Sequence, residues 1–159
     1  MDDIIRYIDE SITMETNIAE LYLLFSETIP EDRLFWWKLN LEERNHASLL
    51  ESEKLFYQVN AFPTELFSNN LEDIVRFNGS FILKIQQFKN KPTRENAFKI
   101  ALEIENSGIE LSYQLLSENK KLSKAIKLFN QLNKADKDHA KRIIDYMNKK
   151  FQTKNNSAD

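Results

Sequence analysis

Two glycines and three prolines are all that interrupt a chain of 159 residues. A fold built on hairpins needs more turn residues than that, whereas long helices need few. The β-branched residues are scattered rather than alternating, so the period-two pattern of a half-buried strand is missing. Pro30, Pro63 and Pro92, with the polar stretch "SENKKLS" at 117–123, divide the chain. The divisions predict helices over 3–28, 31–59, 93–117 and 122–150. Residues 60–92 form a long connection, and "LEDIVRFNGSFILKIQQF" within it also has a helical pattern. Short outer links and a long middle link predict an all-α fold, a four-helix bundle with a long, partly helical crossover between the second and third helices. One domain over 1–150 is expected, with a polar tail at 151–159 expected to be disordered.

Composition excludes several function classes. The chain carries 22 basic and 25 acidic residues, a formal net charge of -3, so no basic surplus points to nucleic acid. The absence of cysteine rules out disulfides, thiolate metal sites and a cysteine nucleophile. The start, "MDDIIRYIDESI", is acidic and lacks the apolar run of a signal peptide. No stretch approaches the roughly 20 apolar residues of a membrane span. The expectation is a cytoplasmic protein with neither a membrane nor a nucleic-acid partner.

Each long helix has an apolar stripe at helical spacing, and what matters is the polar residues inside those stripes. In the first helix the stripe reads Ile8, Ile12, Glu15, Ile18, Ala19, Tyr22, Phe25. In the second it reads Trp36, Leu39, Glu43, His46, Ala47, Leu50. In the third it reads Phe98, Ala101, Leu102, Glu105, Gly108, Ile109, Ser112, Leu115. In the fourth it reads Phe129, Leu132, Asp136, His139, Ala140, Ile143, Tyr146, Met147. Four carboxylates and both histidines of the chain therefore face inward. Glu20, among Thr13, Thr16, Asn17 and Glu27, lies on the opposite, polar face.

A buried, ionised carboxylate without a partner costs several kcal/mol. No lysine or arginine stands in the middle of these stripes to offset four of them. Two divalent cations would close the sum. Oxygen and imidazole donors without thiolate suit iron or manganese, with zinc as a further option. The acid and histidine at i, i+3 in Glu43/His46 and Asp136/His139 lie one turn apart on one face. The halves of the chain also resemble each other. "METNIAELY" at 14–22 aligns with "IENSGIELS" at 104–112, superposing Glu15 on Glu105 and Glu20 on Glu110. "ERNHASLL" at 43–50 aligns with "DKDHAKRI" at 136–143, superposing the two acid–histidine pairs. A duplicated helical hairpin suits a pseudo-two-fold site for two similar ions.

These residues resemble the rubrerythrin-related branch of the ferritin-like superfamily: an inward glutamate in the first and third helices and Glu-x-x-His in the second and fourth. The resemblance covers roughly residues 5–150. It implies metal ligands at Glu15, Glu43, His46, Glu105, Asp136 and His139, with Glu43 and Asp136 as bridges between two iron ions. It implies a peroxidase or oxidoreductase that reduces peroxide or reacts with oxygen. Three departures stand out. Asp136 replaces a glutamate and is one methylene shorter. Gly108 stands where rubrerythrins carry a further glutamate used in their peroxidase cycle. With no cysteine, the chain lacks their cysteine-ligated iron module, so electrons must come from a separate donor protein. Tyr22, two turns beyond Glu15, is expected to be a core residue with a satisfied hydroxyl, with a hydrogen bond to a ligand or the donation of an electron as the alternatives. Trp36 and Trp37 are expected to pack internally, with an interface as the alternative for Trp37 and a homodimer as one expected assembly. Iron oxidation and storage of the ferritin kind, and a structural bundle without metal, are the competing expectations.

Overall fold

A computed structural model describes residues 3–59, 71–112 and 138–150. Those residues are helical apart from short turns, and no strand occurs among them. Helix α1 (Asp3–Thr28) leads through a single 3-10 turn (Pro30–Asp32) into α2 (Arg33–Val59). Helix α3 (Leu71–Asn90) and α4 (Arg94–Ser112) follow, and residues 138–150 form α5. The expected second helix, starting at residue 31, thus begins slightly later. Pro30 has no N–H to continue α1, so the chain turns there. The Ile29 N–H still reaches Phe25 O at 2.9 Å, and Asp32 N–H closes the turn on Ile29 O at 3.1 Å. The helical pattern at 71–88 is realised as α3. The last part of the third expected helix, the first half of the fourth and the tail at 151–159 lie outside the described residues.

Pro92 ends α3 in the same way. Thr93 then caps α4, its Oγ1 accepting the Asn96 N–H at 3.3 Å. The Asn96 side chain donates back to Gln87 O and Lys91 O, at 3.2 and 2.9 Å, and fixes the angle between α3 and α4.

The core is largely aromatic. Tyr22, Phe25, Trp36, Phe88 and Phe98 are almost wholly buried. Phe25 meets Phe88 edge-on at 4.6 Å and Trp36 at 5.1 Å, and Trp36 meets Phe98 at 4.9 Å. Burying one such ring is worth about 1.5–3 kcal/mol. Two amide side chains within the packing reach partners across helices. Asn40 Nδ2 donates to Ala19 O at 2.6 Å, locking α2 to α1. Asn78 Nδ2 donates to Glu10 O and Oε2, at 2.9 and 2.8 Å, locking α3 to α1.

At the end of the molecule near the 3-10 turn, buried Asp32 accepts two bonds from Arg94, at 2.5 and 2.6 Å, and one from Tyr146 Oη at 2.9 Å. That one carboxylate ties the α1–α2 turn to α4 and α5. Tyr146 also stacks flat on Phe35 at 4.0 Å. No helix among the described residues is long and apolar enough to cross a membrane.

Candidate metal centre

The stripes bring their polar residues to one place. Glu15 comes from α1, Glu43 and His46 from α2, Glu105 from α4 and His139 from α5, and all five are buried. They form two donor sets, Glu15/Glu43/His46 and Glu43/Glu105/His139. Within each set the donor atoms lie within 4.8 Å of one another. The sets share Glu43, and its two oxygens are divided between them. Glu43 Oε2 is 3.0 Å from His46 Nδ1, and Glu43 Oε1 is 2.8 Å from His139 Nδ1. Glu15 Oε2 stands 3.6 Å from His46 Nδ1, and Glu105 Oε1 stands 3.9 Å from His139 Nδ1. The imidazoles lie nearly parallel, 5.6 Å between centroids.

Asp136, the sixth expected ligand, lies outside the described residues, as do the surroundings of Gly108. Glu20 is exposed and pairs with Arg44 at 2.9 Å, on the polar face as expected. Trp37 is 44% exposed.

Tyr22 resolves into a specific partner. Its hydroxyl donates to Glu105 Oε1, and both groups are buried. The ring is held by Phe25 and Trp36, at 6.1 and 5.6 Å. The Glu105 carboxylate is thereby oriented from one side by a rigid donor.

A feature that the stripes did not announce lies behind His139. Its Nε2 is 2.8 Å from Glu42 Oε2, and Glu42 is clasped by both Arg142 terminal nitrogens, at 2.5 and 3.1 Å. An Nε2–H donated to Glu42 leaves the lone pair of a neutral imidazole on Nδ1, facing Glu43 and Glu105. Neither Glu42 nor Arg142 belongs to an apolar stripe of the sequence. The only signal was Arg142 at i+3 from His139, which places it on the same flank of α5.

The electrostatics follow from crowding. Burial disfavours charge on every member of the cluster. For His46 the neighbouring Glu15 and Glu43 carboxylates outweigh burial and push the imidazole up to about 11. For His139, Glu43 and Glu105 overcome both burial and the repulsion of His46, and push it up to about 9. Burial raises Glu43, yet its two imidazole neighbours prevail and hold it well below the usual carboxylate range. Without metal, protons on the imidazoles are the compensating cations.

One pair of donor atoms is left without a hydrogen bond, although Glu43 Oε2 and His46 Nδ1 make theirs at 3.0 Å. Glu43 Oε1 and His139 Nδ1 are 2.8 Å apart, close enough for an ion pair, yet neither makes a geometrically sound hydrogen bond. Two buried polar atoms aimed past one another are costly unless a third body satisfies both. Carboxylate and imidazole donors without thiolate match the hard-to-borderline preference of iron, manganese or zinc. No family model, no curated protein and no solved structure matches this chain.

Proposed function

We propose that the chain is a non-haem di-metal redox protein of rubrerythrin type, reducing peroxide or reacting with oxygen. Its frame in this reading is a ferritin-like four-helix bundle of α1, α2, α4 and α5, with the segment carrying α3 as the crossover. One observation carries the reading: buried Glu43 turns one oxygen to each of two imidazoles, and a further carboxylate stands beside each imidazole. Glu15 and His46 would hold one ion, Glu105 and His139 the other, and Glu43 both. Asp136 is the expected second bridge. Two iron ions are the first choice, with manganese or zinc as alternatives. Such a pair, when bound, supplies two electrons at once to an O–O bond, and a separate donor protein restores them.

The chain's own residues prepare that chemistry. Glu42 holds the proton of His139 at Nε2, so that Nδ1 stays available. Tyr22 fixes Glu105 and can hold or release a proton at its Oη. Trp36 and Phe25 wall the Tyr22 side with apolar surface and keep bulk water from it. Ferrous-loaded protein mixed with hydrogen peroxide in a stopped-flow cell tests the reading. It should react faster than free ferrous ion and develop near-ultraviolet ligand-to-metal absorption. Reaction no faster than free ion would sink the peroxidase reading. Rapid oxidation by oxygen alone, with iron accumulating in a large assembly, would put iron oxidation and storage in its place.

One observation favours a structural bundle without metal. Two protonated imidazoles offset most of the charge of Glu15, Glu43 and Glu105, so the cluster is not ruinous without metal. The two readings part on whether purified protein, stripped of metal, takes ions back.

A further inference from the structure

On the face where α2 meets α5 lies a cavity of about 470 Å³ with Arg142 in its lining. Leu34, Phe35 and Tyr146 form its apolar part, and Lys38, Arg142 and Lys149 its cationic part. The volume falls in the range of small-molecule sites, roughly 300–1,000 Å³. The only acid in the lining, Asp145, is already engaged by Lys141 at 2.6 Å. Lysine near a helix C-terminus suits the helix dipole, which accounts for Lys149 at the end of α5 without a ligand. It does not account for Lys38, in the second turn of α2. Among the described residues no carboxylate lies within ion-pair distance of Lys38, which lines the cavity together with exposed Leu34. Phe35 and Tyr146, stacked at an interplanar angle of 8°, present a flat aromatic edge to the same space.

We infer that this cavity binds a planar organic anion, an aromatic ring bearing a phosphate, of mononucleotide size. The ring lies against Leu34, Phe35 and Tyr146, and the phosphate meets Lys38 and Lys149 with Arg142 at its back. Arg142 is also the clasp of Glu42, which faces His139 Nε2. An anion drawing on Arg142 loosens that clasp and is felt at the imidazole. Binding does not rest on the metal reading, whereas any consequence for a metal centre does.

Adenosine monophosphate and flavin mononucleotide serve as probes, with adenosine, riboflavin and inorganic phosphate as controls. Each is titrated calorimetrically into the full chain, both chelated and metal-loaded. At least one mononucleotide should bind ten times more tightly than its phosphate-free nucleoside and than phosphate alone. Lys38→Glu should weaken it at least tenfold, and Lys99→Glu, on an exposed part of α4, should leave it unchanged. On binding, the imidazole proton signals of His139 should shift more than those of His46. Binding to chelated protein supports the cavity even where no metal is taken up, so the two readings fail separately. Absence of binding by either mononucleotide at millimolar concentration would overturn the inference. So would equal affinity for nucleoside and nucleotide, or indifference to Lys38→Glu.

Discussion

Raising the pH of the metal-free chain from 7 to 9 should destabilise it, and the size of the effect follows from the two imidazoles. Burial works against their charge, but the surrounding carboxylates hold His46 up to about 11 and His139 up to about 9. An unfolded histidine titrates near 6.5. Stability from these protons is therefore complete below about pH 6.5 and lost as the pH rises through about 9 for His139 and about 11 for His46. In between, the native state binds more protons than the unfolded state, so stability falls with pH. The slope approaches about 1.4 kcal/mol per pH unit for each histidine where the pH lies well above its unfolded and well below its folded pKa, and halves for His139 by about pH 9. Both together give about 2–3 kcal/mol per unit near pH 8, roughly 4–12 °C in Tm for a chain of this size. Thermal melts by circular dichroism, in chelator and at fixed ionic strength, read it directly. His46→Gln and His139→Gln should each remove about half of the slope. Bound metal should reverse the sign, because ligation needs neutral imidazole and strengthens as pH rises. A metal-free Tm that stays flat or climbs between pH 7 and 9 would refute the reasoning.

Three substitutions probe single contacts. Tyr22→Phe keeps the ring among Phe25 and Trp36 but removes the donor to Glu105; it should cost about 2 kcal/mol in the metal-free protein and lower Tm by about 4–8 °C, measured by calorimetry. Asp32→Asn leaves the Arg94 guanidinium without its buried partner and should cost about 3 kcal/mol in urea unfolding, with no change in metal stoichiometry. Glu42→Gln should leave the fold intact but weaken metal binding at the His139 set by ~10-fold or more, seen as one weakened step in a ferrous titration.

The inward carboxylates were legible because they break a pattern. Glu15, Glu43 and Glu105 each interrupt a run of apolar residues at helical spacing, and burial of all three follows the stripes closely. The Pro30 boundary was legible for an equally local reason, a missing N–H. What the stripes concealed depends on pairing between helices. Asp32 belongs to no apolar stripe, yet it is buried, and Arg94, 62 residues later, reaches it twice. Glu42 stands outside the stripe that holds Glu43, and only the approach of α5 gives it His139 and Arg142. The stripe of α4 was drawn too narrow. Ala97, Ile100 and Ile104 are buried alongside Phe98 and Ala101, whereas Leu102 is only partly covered. A helix packed on more than one side buries a wider arc than a single stripe. Asp136, inferred from the internal repeat and the family resemblance, stays a proposal on those grounds.

Counting ions on the protein tests the central claim most directly. Chelated, metal-free chain is titrated anaerobically with ferrous ion, and bound metal per chain is measured by elemental analysis after gel filtration. Two donor sets joined by one shared carboxylate predict two ions per chain, and Glu43→Ala should reduce the count at both positions together because each set draws on that residue. Wild-type protein that retains no more iron than Glu43→Ala would contradict a metal centre and leave a bundle held by its imidazole protons.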